Sequence, residues 1–127
     1  MNGSGIVIDT NAIIHFVAGT IPTEALEHLR GRSFHVSFIT EIEVRSFRKM
    51  EPFRDKATTE FLPTCVVHGL SEALKNEAVR LRLAHGLKTP DALIAATAKL
   101  KGLPLITGDK GLRRLADELE LIFVQYP

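Results

Sequence analysis

The sequence predicts an α/β fold: a three-layer α/β/α sandwich around a central, mainly parallel five-stranded sheet, Rossmann-like in its winding. Two observations predict it. Short apolar runs alternate along the chain with stretches of helical spacing. Those runs are apolar throughout rather than at every second residue, as expected of parallel strands covered on both faces. Crossovers between such strands are right-handed, and their chemistry lies beyond the carboxyl ends of the strands.

The run over 5–8, Gly-Ile-Val-Ile, is the first strand, and it ends in the polar turn Asp9-Thr10-Asn11. A helix is expected over 12–17. Pro22 and Thr23 open a second, with Ala25, Leu26 and Leu29 at helical spacing. A strand over 34–39 leads into a helix from Thr40 to about Met50, and Pro52 marks a break before another helix ending near Leu62. Residues 64–67 read as a short buried strand containing Cys65. Ser71 caps a helix carrying Ala78, Leu81 and Ala84, and Gly86 ends it. Thr89-Pro90 opens an alanine-rich helix over 91–101, stopped by Gly102. A strand over 103–106, the turn Thr107-Gly108-Asp109, a helix from about 110 to 119 and a strand near 121–124 complete the chain.

The 127 residues suit one domain spanning 1–127, and 45% hydrophobic against 24% charged residues suits a soluble globular protein. No apolar run approaches the roughly 20 residues that cross a bilayer. The start, Met1-Asn2-Gly3-Ser4-Gly5, lacks the basic residues of a secretory signal. A single cysteine forms no internal disulfide, so a cytoplasmic protein is expected. Net charge is only +1, yet basic residues gather at Arg45, Arg48, Lys49 and Arg54, at Arg80, Arg82 and Lys88, and at Lys99, Lys101, Lys110, Arg113 and Arg114. Such groups either track a phosphate backbone or are solvated helix faces.

Four acids stand out. Asp9 and Asp109 follow strands, where each can cap the next helix. Glu43 stands three residues after Thr40, the spacing of a capping box, and Asp91 lies in a helix's first turn, where it favours the dipole. Together they change meaning, because all four fall near one edge of the sheet. Two carboxylates about 4 Å apart repel by roughly 4 kcal/mol at an effective dielectric near 20. A hard divalent cation, Mg2+ or Mn2+, relieves such crowding, lowers the pKa of a bound water and neutralises a phosphodiester. Thr10, Asn11 and Thr107 are placed to hold the acids or a bound water by hydrogen bonds.

Over nearly its whole length the sequence resembles a PIN domain, in particular the VapC-type toxins of toxin–antitoxin pairs. Ile6-Val7-Ile8-Asp9-Thr10-Asn11 resembles the family's opening strand and first metal-binding acid. Ser37-Phe38-Ile39-Thr40-Glu41-Ile42-Glu43 resembles the second motif, which assigns Glu43 and leaves Glu41 at the surface. Thr89-Pro90-Asp91-Ala92-Leu93-Ile94-Ala95-Ala96 is similar to the third, and Leu105-Ile106-Thr107-Gly108-Asp109 to the fourth. The chain departs from many members in following Asp109 with Gly111-Leu112 rather than another acid and phenylalanine. The resemblance implies a ribonuclease dependent on Mg2+ or Mn2+, with Asp9, Asp91 and Asp109 as metal ligands and Glu43 acting through water or as a base. It also implies a homodimer and a small antitoxin that masks the cleft.

His15, His28, His35, His68 and His85 show no ligand spacing and read as structural. There is no Walker-type phosphate loop and no Ser-His-acid or Cys-His constellation. Phe16, Phe47, Phe53 and Phe61 read as core or dimer-contact residues rather than base-stacking platforms, since aromatics are 6% and tryptophan is absent. A receiver-type phosphoacceptor also carries acids, a threonine and a lysine at strand ends, which Asp9, Thr107 and Lys110 imitate. It needs an aspartate after a middle strand, and Thr64-Cys65-Val66-Val67-His68-Gly69 offers none. An RNA-binding module without cleavage is the remaining class. Within the enzyme class, a compact toxin and a housekeeping RNA-processing nuclease share the same signature.

Overall fold

The computed structural model describes residues 4–48 and 51–126. Five strands, β1 (Gly5–Ile8), β2 (Ser33–Ser37), β3 (Val66–His68), β4 (Leu105–Thr107) and β5 (Leu121–Phe123), form one sheet in the order β3-β2-β1-β4-β5. Every pairing is parallel. The winding reverses between β1 and β4, which opens a crevice at their carboxyl ends.

Alternation along β1 supplies both faces of the core. Ile6 and Ile8 join Ile106 beneath α1 (Thr10–Ala18) and α2 (Thr23–Leu29), and Val44 of α3 (Phe38–Arg45) packs in the same cluster. Val7 and Leu105 face α5 (Glu72–His85) and α6 (Thr89–Lys101) on the other side. Ala92, Ala95, Ala96 and Ala98 of α6 are all buried, and their small side chains let that helix lie close to its neighbours. The first cluster is completed by an aromatic triangle of Phe16, Phe34 and Phe61, with ring centroids 5.3–5.8 Å apart.

Several boundaries differ from the sequence reading. The second strand stops at Ser37, whose hydroxyl accepts the Ile39 N–H, so α3 begins at Phe38 rather than Thr40. Thr40 therefore lies inside the helix and forms no capping box, and Glu43 is in the last turns instead of the first. That helix ends at Arg45, and the predicted end at Lys49 and Met50 lies outside the described residues. Pro52 stands at the start of the next helix as expected: it sits in the first turn of α4 (Glu51–Lys56), where its missing N–H costs nothing, and the helix runs on through a π-turn over Ala57–Phe61. Thr64 closes a 3-10 turn and Cys65 is half-buried before the strand. The third strand is an edge, with Val66 and Val67 46% and 39% exposed, so it is not the buried strand expected. After Asp109 the chain forms a 3-10 turn over Lys110–Leu115 rather than an α-helix to 119.

Candidate active site

Parallel pairing of Val7 with Leu105 and Ile8 with Ile106 brings the next residues, Asp9 and Thr107, side by side at the switch point. The Thr107 hydroxyl donates to Asp9 Oδ2 at 2.6 Å, and Asp9 Oδ1 accepts the Ala12 N–H at 2.9 Å as the N-cap of α1. Thr107 Oγ1 also accepts the Asp109 N–H at 3.0 Å, and Asp109 Oδ1 accepts the Gly111 N–H at 2.8 Å. One threonine thus links two of the four acids. A second does the same for a third: Thr10 donates to Glu43 Oε1 at 2.5 Å, tying α1 to α3. Asp91 enters from the first turn of α6, beyond Pro90.

All four predicted acids line one cleft of about 320 Å³, together with Thr10 and Asn11. The cap duties at Asp9 and Asp109 are real, and they coexist with a place in the cleft. Ile14, Phe47, Ile94 and Leu112 complete the lining. Phe47 is half-buried and forms part of the cleft wall rather than the core.

The electrostatics follow from crowding and burial. Asp9 is 7% exposed, and its pKa is pushed up to about 6, chiefly by burial. The bonds from Thr107 and Ala12 oppose that shift, while the charge of Asp109 adds to it. Asp91 is also raised, by burial first and then by Asp109 and Glu43. Asp109 thus repels two of its three acidic partners. Among the described residues, no three His, Cys, Asp or Glu side chains close tightly enough to enclose an ion unaided. The acids of this open cleft offer oxygen ligands, which suits a hard, strongly hydrated cation such as Mg2+ that keeps several of its waters.

Most cationic clusters have structural duties. Glu118 accepts from Arg80 and Lys99 and pairs with His85, and these partners hold its carboxyl well below the ordinary range. Arg54 pairs with Glu51 and Asp55, and Arg113 stacks over Phe123 with its Cζ 3.9 Å from the ring centroid. Lys49 lies outside the described residues. Two histidines far apart in sequence do meet: His35 Nδ1 lies 2.8 Å from His68 Nε2 across β2 and β3.

The PIN domain family model matches residues 6–118. The chain belongs to the PIN domain family. Family membership carries nuclease chemistry, the hydrolysis of phosphodiester bonds. Among solved structures, the PIN chain is similar to a chain of the toxin–antitoxin complex from Klebsiella pneumoniae. That match is 28% identical with a TM-score of 0.72, over 92% of this chain and 95% of the other. It shares its fold with a chain of VapBC2 from Rickettsia felis bound to a DNA fragment from their promoter, at 18% identity and a TM-score of 0.71 over 95% and 99% of the two chains. A chain of FitAcB from Neisseria gonorrhoeae matches at 23% and 0.69 over 94% and 96%. No curated protein matches in sequence. Among the described residues no helix is long and apolar enough to cross a membrane.

Proposed function

We propose that this PIN domain is an endoribonuclease dependent on Mg2+ or Mn2+ and the toxin of a toxin–antitoxin pair. The observation that carries the reading is the meeting of Asp9, Glu43, Asp91 and Asp109 on one cleft at the sheet's switch point. Asp9, Asp91 and Asp109 would hold the cation. A bound divalent cation supplies charge neutralisation at the phosphodiester and makes a water easier to deprotonate. Glu43 has Oε1 engaged by Thr10, which leaves Oε2 to take the proton of the attacking water. The water oxygen bonds to phosphorus, and the ribose oxygen opposite leaves with the bonding pair. Thr107 keeps Asp9 and Asp109 in register throughout, as a residue behind metal ligands does.

The likeness to a toxin–antitoxin chain over almost its full length supports a cognate antitoxin that masks the cleft. We further propose that the protein works as a homodimer in the cytoplasm, as the family resemblance of its motifs implies. Purified protein incubated with single-stranded RNA is expected to cut it with Mg2+ or Mn2+ and to stop in excess EDTA. Full cleavage in EDTA, or RNA bound but left intact with metal supplied, would defeat the proposal.

A further inference from the structure

Tyr126 is the only tyrosine of the chain, which has no tryptophan. It follows β5, and its ring stacks on His15 of α1, with centroids 4.5 Å apart and planes 4° from parallel. The ring also lies against Gly108, in the turn between Thr107 and Asp109. A Cβ at Gly108 would stand 2.5 Å from Tyr126 Cδ2 and 2.7 Å from the Val124 carbonyl oxygen. Gly108 is therefore required by space rather than by backbone angle. The Val124 N–H donates to the Thr107 carbonyl at 2.9 Å, so the segment after β5 straps the turn that carries Asp109.

The Tyr126 hydroxyl is buried and has no hydrogen-bond partner among the described residues. A buried hydroxyl left without a partner forfeits the hydrogen bonds it makes to water in the unfolded chain. Phenylalanine would fill the same space without that cost, so the oxygen calls for a partner at the site, a water or a neighbouring acceptor. The charge of Asp9 reaches it: after burial, Asp9 is the further cause that raises the phenol above its ordinary pKa. The Asp9 carboxyl, held by Thr107 at the head of the turn that the Tyr126 ring covers, has accepted one bond on each oxygen, from Ala12 and Thr107.

We infer that Tyr126 is a positioning residue for the Asp9–Asp109 end of the cleft: its ring fixes the Thr107-Gly108-Asp109 turn, and its hydroxyl donates to Asp9, directly or through one water, when a divalent cation loads the site. The inference rests on the metal-dependent reading above, and nothing in that reading requires it.

The test follows Mg2+ titration by calorimetry and by tyrosine emission in the wild type, Tyr126→Phe, Gly108→Ala and Asp9→Asn. In the wild type, emission should change with the same midpoint as the heat, because the fluorophore is the residue in question. Asp9→Asn should abolish that change. Tyr126→Phe should melt at or above the wild-type temperature yet bind Mg2+ on the order of tenfold more weakly, the effect of losing a support behind a ligand. Gly108→Ala should weaken binding similarly by displacing the ring. Calorimetric binding in the wild type with no change in emission would overturn the inference, and so would unaltered Mg2+ affinity in Tyr126→Phe. Absence of any Mg2+ binding to the wild type would instead overturn the metal-dependent reading, and this inference with it.

Discussion

At Asp9, capping and charge meet in one side chain: Oδ1 holds the first turn of α1, Oδ2 holds Thr107, and the carboxyl is 7% exposed. Burial raises its pKa from 3.8 to about 6. A carboxyl with a raised folded pKa stabilises the fold fully below its unfolded pKa, and that contribution is lost as pH rises through the folded value. Without metal, Asp9→Asn should therefore gain stability relative to the wild type as pH rises from about 4 to 6. Melting temperatures in EDTA across that range check it. A constant difference would show that Asp9 carries no strained charge. The four acids were readable in the sequence because each follows a strand or lies on a helix beside one. The partners were less so. Thr107 lay next to Asp109 in the sequence, but its bond to Asp9 spans 98 positions and depends on strand register. Gly108 and Tyr126 gave no signal, since one read as an ordinary turn and the other as a residue after the last strand.

Among the elements, those with strong local signals came out close to their predicted bounds. The alanine-rich helix after Thr89-Pro90 and the apolar strands β1 and β4 are examples. Misreadings arose where two signals competed. Ser37 and Thr40 both offer a cap, and the earlier one won because β2 pairs with β3 only as far as Ser37. The link between β2 and β3 was not legible, because His35 and His68 are separated by 33 positions. Burial lowers both imidazole pKa values, and the nearby charge of Lys101 lowers them further. A histidine whose folded pKa is depressed stabilises above its unfolded pKa, near 6.5, and loses that contribution as pH falls. The wild type should lose stability between about pH 7 and 5 in part through this pair, and His68→Asn should reduce that dependence. Melting curves at the two ends of the range decide it, and an unchanged slope in His68→Asn would remove the pair from the account.

The whole molecule draws its function from topology. The sheet order puts β1 beside β4, so acids 100 positions apart share one crevice, while α3 and α6 deliver two more from opposite faces of the sheet. Ile14, Phe47, Ile94 and Leu112 add apolar lining to the same cleft. That lining could not be seen in sequence, where Phe47 read as a core or dimer-contact residue. The central claim is that the four carboxylates act as one site, Asp9, Asp91 and Asp109 toward the cation and Glu43 toward the water. The most direct test is RNA cleavage by Asp9→Asn, Glu43→Gln, Asp91→Asn and Asp109→Asn, each at saturating Mn2+ after its fold is verified. Every single variant should lose cleavage by on the order of tenfold or more, as expected when ligands work as a unit. Wild-type cleavage by any of the four would contradict the account.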